Sequence, residues 1–265
     1  IERTEYLNRI KGLKDTPDIK VITGIRRSGK SILMQEYIQY LKEHFSDINV
    51  IFIDFMDLSF EYLKEYHALH TYVEDHFQEG KANYLLIDEV QMCPNFELAI
   101  NSLYSKRKYD IYLTGSNAFL LSADLATLFT GRYIEIHVYP FSFKEYCQYY
   151  KNTDNIESLF EDYTIKGGLP GSYAYNNEID RKEYIKEVYQ TIVTRDLVQK
   201  YSLTDTLVLQ RLSEFLMDNI SNLTSANNIS NSLVEKEIST NHVTISKYIK
   251  HLCNAFVFYD INRYD

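Results

Sequence analysis

Several features that mark specialised classes of protein are missing from this sequence. It has no tryptophan and only three cysteines, Cys93, Cys147 and Cys253, which stand far apart. Because no CxxC pair is present, the cysteines indicate neither a zinc knuckle nor a disulfide framework, and they fit a reducing compartment. No apolar run approaches the roughly 20 residues that cross a bilayer, and no signal-peptide pattern is found. We therefore expect a cytoplasmic protein with no membrane partner.

An excess of positive charge is also missing, since the formal net charge is −9. This balance argues against a protein whose whole surface binds nucleic acid, although it leaves a local basic face open. The chain has 265 residues, of which 45% are hydrophobic. It can therefore bury a sizeable core and form a main domain with one or two smaller ones.

A phosphate-loop pattern lies near the start of the chain. The segment GIRRSGKS, Gly24–Ser31, satisfies GxxxxGK[ST], and it stands between a strand-like apolar run (Ile19–Thr23) and a helical pattern (Ser31–Leu41). In such a loop the backbone N–H groups wrap a polyphosphate, Lys30 reaches the terminal phosphates and the Ser31 hydroxyl helps to hold Mg²⁺. The residues that we assign to nucleotide binding on this basis are Gly24, Ile25, Arg26, Arg27, Ser28, Gly29, Lys30, Ser31 and Ile32.

Two carboxylates follow a second apolar run. The run Tyr84–Ile87 indicates a buried parallel strand, so Asp88 and Glu89 fall at its carboxyl end. Two adjacent carboxylates are costly to bury unless a cation such as phosphate-bound Mg²⁺ lies beside them. We expect Asp88 to hold Mg²⁺ and Glu89 to orient or deprotonate the attacking water. The alternative is a solvent-facing turn at the end of a strand.

Two further strand patterns end or begin at polar residues. One stops in the cluster Thr114–Asn117, which either places a hydrogen-bond donor beside a γ-phosphate or simply caps the next helix. The other, Ile134–Pro140, is preceded by Arg132. An arginine at that position is either a surface residue or a finger that reaches the γ-phosphate of a neighbouring subunit.

The chain divides into three parts by pattern. Residues 1–141 alternate strands and helices, residues 142–203 are helical, and residues 204–265 combine helices with a strand-like end, VFYDINRY. The last part favours a winged helix-turn-helix, in which Lys247, Lys250 and His251 contact DNA phosphates. A solvated helix face has the same pattern.

Together the segments GIRRSGKS, YLLIDEVQ, YLTGSN, FTGRY, YPFSFKEY and GGLPG resemble the prokaryotic AAA-type P-loop ATPases whose members carry a DUF4143 region. The resemblance implies an α/β fold: a five-stranded parallel sheet with helices on both faces, a helical lid and a winged-helix segment. Members of that family continue into a nuclease-like carboxyl-terminal domain, which we expect to be missing beyond Asp265.

The resemblance also implies roles for single residues. Lys30 and Ser31 match the Walker A lysine and hydroxyl, and Asp88 and Glu89 match the Walker B pair. Asn117 matches sensor 1, with Ser116 as the alternative, Arg132 matches an arginine finger, and Pro170 resembles a lid proline near adenine.

These observations predict a Mg²⁺-dependent ATPase that acts as a conformational switch or motor, with ATP and ADP as ligands. We also expect it to self-associate or to bind a protein partner. ATP is preferred over GTP because no NKxD segment for guanine occurs. The first alternative is a nucleotide-sensing switch that binds DNA or a protein and turns over little. A small-molecule kinase fits less well, because Glu89 and Arg132 suit attack by water.

Overall fold

A computed structural model of the chain describes residues 2–115, 127–151 and 155–261. The chain separates into two compact units, Ile1–Asn176 and Asn177–Asp265. The three-part division made from the sequence stays a prediction.

Strands and helices alternate along most of the first unit, as its sequence pattern predicts. In chain order its elements are α1 (Thr4–Gly12), β1 (Ile19–Thr23), α2 (Lys30–His44), β2 (Ile48–Asp54), a 3₁₀ helix (Leu58–Leu63), α3 (Tyr66–Asp75), β3 (Ala82–Asp88), a 3₁₀ turn (Val90–Met92), α4 (Phe96–Ser105), β4 (Tyr109–Thr114), β5 (Tyr133–His137), α5 (Phe143–Tyr150), α6 (Ile156–Lys166) and a 3₁₀ helix (Pro170–Ala174).

The five strands form one parallel sheet in the order β2-β3-β4-β1-β5. The predicted five-stranded parallel sheet is thereby confirmed. Because all strands run in the same direction, the residues that follow β1, β3 and β4 meet at one edge of the sheet. The phosphate loop, Asp88 and Thr114 therefore share that carboxyl edge.

Each face of the sheet carries its own apolar core. On one face Val21, Ile53 and Leu113 pack with side chains of α3 and α4. On the other face Ile22 and Leu86 pack with side chains of α1 and α2. Burial on both faces explains why the strand sequences are nearly continuous apolar runs, and it confirms the prediction of helices on both sides.

The second unit is helical among its described residues. It contains α7 (Glu178–Gln190), a π-helical turn (Thr191–Leu197), α8 (Val198–Tyr201), α9 (Thr206–Asp218), α10 (Ala226–Glu235) and α11 (His242–Asn254). Side chains of Asp205, Ser225 and Asn241 accept hydrogen bonds from backbone N–H groups in the first turns of α9, α10 and α11. These caps fix where the three predicted helices begin.

The predicted wing strand is not seen in residues 257–261, the part of VFYDINRY that the structure describes. Phe256 takes a φ of 56°, and its N–H donates to Cys253 O at 2.9 Å. The N–H of Val257 returns to Leu252 O at 3.0 Å. This pair of bonds closes α11 in a Schellman motif, which turns the chain back instead of extending it.

His251 does not belong to the exposed face of α11, contrary to our expectation. It is only 7% exposed, and its ring stacks on Tyr201 with 3.5 Å between the centroids. Burial, assisted by the charges of Lys247, Lys200 and Lys250, lowers its pKa to about 4. A neutral, buried imidazole contributes no charge toward DNA.

Across the described residues, no helix has the length and apolar character needed to span a membrane.

Candidate functional site

The phosphate loop leaves β1 at the carboxyl edge of the sheet and leads directly into α2. Gly24 has a φ of 150° and Gly29 a φ of 97°, both in the region that favours glycine. A Cβ atom on Gly24 would lie 2.2 Å from the carbonyl oxygen of Val138, just after β5. The backbone of the loop therefore passes so close to Val138 that only glycine fits.

Lys30 lies inside the loop, with 4% of its surface exposed. Its ammonium Nζ donates to Gly24 O at 2.9 Å and to Ile25 O at 3.1 Å. These neutral carbonyls keep the Lys30 ammonium group within the loop, where an anionic ligand would contact it. Exchange of a neutral carbonyl for an anionic phosphate oxygen makes both partners of the hydrogen bond charged, which strengthens it.

A buried hydroxyl of the loop also fits a bound anion. The Oγ of Ser28 is buried and has no hydrogen-bond partner among the described residues. Leaving a buried polar atom unpaired costs about 1–3 kcal/mol. A ligand with several acceptor oxygens would relieve that cost.

The two residues predicted to hold Mg²⁺ are in contact. The Ser31 hydroxyl forms a hydrogen bond with Asp88, and the Thr114 hydroxyl donates to Oδ1 of the same carboxylate. Burial raises the pKa of Asp88, and the neighbouring Glu89 adds to the increase, while the two hydrogen bonds and Lys30 oppose it. A buried carboxylate beside a hydroxyl offers hard oxygen ligands that lack a full countercharge, so the residues present fit a divalent cation.

Glu89 has a left-handed backbone, with a φ of 53°. Its N–H donates to Thr114 Oγ1 at 3.1 Å, and the side-chain amide of Gln91 donates to its carboxylate Oε2. The half-buried carboxylate is therefore held in one orientation at the edge of the site. Thr114 and Gln91 lie in segments that the sequence analysis identified, but it predicted no separate role for either residue.

Asp54 is a third carboxylate at this edge that sequence analysis missed. It ends β2 and is the register partner of Asp88 at the end of β3. Its Oδ1 accepts from the N–H of Met56 at 2.9 Å. The strand pattern NVIFIDF predicts where β2 ends. Asp54 is the last polar residue of that pattern, and its position at the strand end was the signal that could have placed it at the site.

Arg132 lies away from the loop of its own chain. Its carbonyl accepts from the N–H of Ile19, the first residue of β1, at 3.0 Å, whereas the loop follows the last residue, Thr23. At about 3.3 Å per residue, the ends of β1 are about 13 Å apart. The exposed guanidinium of Arg132 instead lies over the ring of Tyr104, 5.8 Å from its centroid.

The other assigned residues have different surroundings. Within the loop, Arg26 is half-buried, Arg27 is exposed with a φ of 64°, and Ile32 on α2 is 61% exposed. Asn117 and its alternative Ser116 lie outside the described residues.

Pro170 begins a 3₁₀ helix near the end of the first unit. Just before it, the carbonyl of Gly168 accepts from the N–H of Phe141 at 2.7 Å, and a Cβ on Gly168 would lie 2.6 Å from Phe141 O. Residues 138–141 thus contact the phosphate loop at one end and the GGLPG segment at the other. Pro170 is linked to the loop through this short segment.

Family models match both parts of the chain. Residues 16–147 match the model of an AAA domain, and residues 157–265 match a domain of unknown function, DUF8612. The expected DUF4143 region is not confirmed.

Proteins of known sequence and structure are also similar. An uncharacterized protein of Haemophilus influenzae is 36% identical over 100% of this chain, which spans 67% of that protein. An uncharacterized protein of Methanocaldococcus jannaschii is 26% identical over 99% of the chain, which spans 61% of it. AMPPCP-bound DnaA from Aquifex aeolicus has 14% identity and a TM-score of 0.45, with 97% of this chain and 89% of that chain covered.

Proposed function

This chain belongs to the AAA-type P-loop ATPases, and on that premise we propose that it binds ATP with Mg²⁺ and transfers the γ-phosphoryl group to water. The observation that carries the proposal is the contact between the Ser31 hydroxyl and the buried Asp88 carboxylate, beside a loop that contains Lys30. These are the groups that bind Mg²⁺ and phosphate in P-loop enzymes.

Each step has a residue suited to it. The backbone N–H groups of the loop, the N-terminus of α2 and the Lys30 ammonium bind and orient the phosphates. Ser31 and Asp88 would hold Mg²⁺, which when bound neutralises charge on the β- and γ-phosphates. Glu89 accepts a proton from the attacking water, or orients that water, while the N–H of Glu89 stays fixed by Thr114.

The test measures steady-state ATP hydrolysis of the wild type, Lys30→Ala and Glu89→Gln. Lys30→Ala should abolish nucleotide binding, and Glu89→Gln should retain binding but lose about 10²–10⁴-fold in kcat. Lys42→Ala, at an exposed position of α2, is the matched control and should behave like wild type. Wild-type turnover no higher than that of both site variants would overturn the proposal.

We further propose that Arg132 acts on the γ-phosphate of a second copy. Its position at the amino edge of the sheet, distant from its own loop, supports action between subunits over action within one. An arginine that reaches the γ-phosphate of a second copy would stabilise the negative charge of the transition state.

A second candidate function is a nucleotide-dependent switch that binds DNA and turns over slowly. It is favoured by the exposed Lys247 and Lys250 on α11, in a stretch from Ile238 to Phe256 without Asp or Glu. DNA affinity should fall with added salt and in the double variant Lys247→Ala, Lys250→Ala. If DNA affinity changes neither with salt nor in the double variant, this surface does not bind DNA. Measurable ATP turnover would favour the ATPase over the slow switch.

The chain spans about two thirds of the H. influenzae relative. We propose that ATP turnover in this chain drives a conformational switch or motor. A cytoplasmic location is supported by the three cysteines, all of which are free thiols.

A further inference from the structure

A buried arginine from the start of the chain contacts the phosphate loop. Arg3 precedes α1 and is only 5% exposed. Its Nη1 donates to Ser28 O at 2.9 Å and to Tyr139 O at 2.8 Å. Its Nε and Nη2 donate to the two carboxylate oxygens of Glu145 at 2.6 and 3.0 Å. One guanidinium therefore joins the phosphate loop, the segment after β5 and α5, the first helix of the predicted lid.

The hydrogen bond from Arg3 to Ser28 O also determines the direction of the next amide N–H, that of Gly29. A trans peptide is planar, and its C=O and N–H point in opposite directions. Because Arg3 holds the Ser28 carbonyl, the N–H of Gly29 must point away from Arg3. Gly29 is the N-cap of α2, and its own carbonyl accepts from Leu33 N at 3.0 Å. Arg3 thus holds the carbonyl of the Ser28–Gly29 peptide, and α2 holds the carbonyl of the peptide that follows, at the helix end where phosphates bind.

The other end of Arg3 is held equally firmly. Glu145 lies in the first turn of α5 and forms a capping box with Ser142. Burial raises the pKa of Glu145, but hydrogen bonds from Arg3 and Ser142 outweigh it, so the pKa lies below its ordinary value. Glu145 therefore stays charged at neutral pH, and the bidentate pair fixes the guanidinium plane.

We propose that Arg3 is a positioning residue that directs the Gly29 N–H toward a bound phosphate and couples the phosphate loop to α5. This inference rests on the proposed nucleotide site and adds a residue from outside its motifs. Lysine cannot replace Arg3, because a single ammonium lacks the planar fork that reaches two carbonyls and both carboxylate oxygens.

The first test is ADP binding, measured by calorimetry for the wild type, Arg3→Lys and Arg3→Gln. Both variants should bind ADP about 10–100-fold more weakly, the range expected when a hydrogen bond from a charged group is lost. Arg9→Gln is the matched control, because Arg9 lies on α1 and also donates to a backbone carbonyl, Glu135 O at 2.8 Å, away from the loop. It should bind ADP like wild type.

The second test measures the NMR signal of the Gly29 amide when ADP is added. If Arg3 only stabilised the fold, its replacement would not change the shift of that signal. The chain has nine glycines, so selective ¹⁵N-glycine labelling gives a simple amide spectrum. In the wild type the Gly29 signal should shift when ADP is added, and in Arg3→Lys that shift should fall by more than half. The signal of Gly80, in the turn before β3, should stay in place in both proteins.

The outcomes separate the two proposals. If the wild type binds ADP and Arg3→Lys binds it equally tightly with an unchanged Gly29 shift, the role of Arg3 is overturned and the nucleotide site stands. If the wild type shows no ADP binding, the nucleotide site itself fails and Arg3 with it. Should Arg3→Gln unfold, Arg3→Lys, which retains the charge and the length, still decides the question.

Discussion

The hydroxyl of Thr114 donates to the carboxylate of Asp88, and this bond joins the carboxyl ends of two adjacent strands, β4 and β3. The same oxygen accepts the N–H of Glu89 at 3.1 Å. Thr114 is fully buried, so no water replaces it. A single side chain thus contacts both the carboxylate of Asp88 and the backbone of Glu89 at the proposed hydrolytic site.

Thr114→Val should therefore impair hydrolysis while the fold persists. Valine keeps the shape but loses the donor to Asp88 and the acceptor for Glu89. We expect kcat to fall about 10–100-fold, because one bond to a charged group is lost. Thr114→Ser retains the hydroxyl and should stay within about threefold of wild type. Equal activity of the valine and serine variants would contradict this role.

Gln91→Ala tests how the carboxylate of Glu89 is oriented. The Gln91 amide donates to Oε2 and leaves the other oxygen for water. Without it the carboxylate can rotate, so kcat should fall about tenfold while KM for ATP changes little. Met92→Ala, in the same 3₁₀ turn, serves as the control. A rise in KM with unchanged kcat would assign Gln91 to nucleotide binding instead.

Arg132 can be tested by mixing two inactive chains. Arg132→Ala retains Glu89, and Glu89→Gln retains Arg132, so a shared interface between them should restore part of the hydrolysis. Arg107→Ala is a control, because Arg107 is also exposed and lies over the ring of Tyr104, 4.8 Å from its centroid. That variant should be fully active. If the mixture stays inactive at all ratios, action across subunits is excluded.

His251 makes the stability of the second unit depend on pH. Its pKa is lowered from 6.5 to about 4 in the folded chain, so between these values the unfolded chain binds the additional proton. Stability therefore rises with pH across this window and falls as the solution is acidified from 6.5 toward 4, by at most about 3 kcal/mol.

His251→Phe should remove this pH dependence without a loss of hydrogen bonds. Neither imidazole nitrogen has a hydrogen-bond partner among the described residues, and a phenyl ring can retain the stacking on Tyr201. Thermal unfolding at pH 7 and pH 5 should show a smaller difference for this variant than for wild type. His242→Phe, at the exposed start of α11, should leave the difference unchanged. An identical pH response in His251→Phe would refute the assignment.

Local patterns determined much of the first unit. The run IKVIT is β1 as predicted, the helix after the loop begins within one residue of its predicted start, and Asp88 ends β3. These features depend on short stretches whose apolar spacing and glycines constrain the backbone directly. The winged segment was predicted less well, because the extended appearance of VFYD gave way to the Schellman turn at Phe256.

The sequence by itself determined the phosphate loop, the strand–loop–helix order and the two carboxylates after β3, because each is encoded by neighbouring residues. Only the tertiary structure decided that Thr114 contacts Asp88, that Asp54 stands beside it, that Arg132 lies at the opposite edge and that Arg3 holds the Ser28 carbonyl. Those relationships depend on strand order, register and packing between segments 25 to 142 positions apart, which no local pattern specifies.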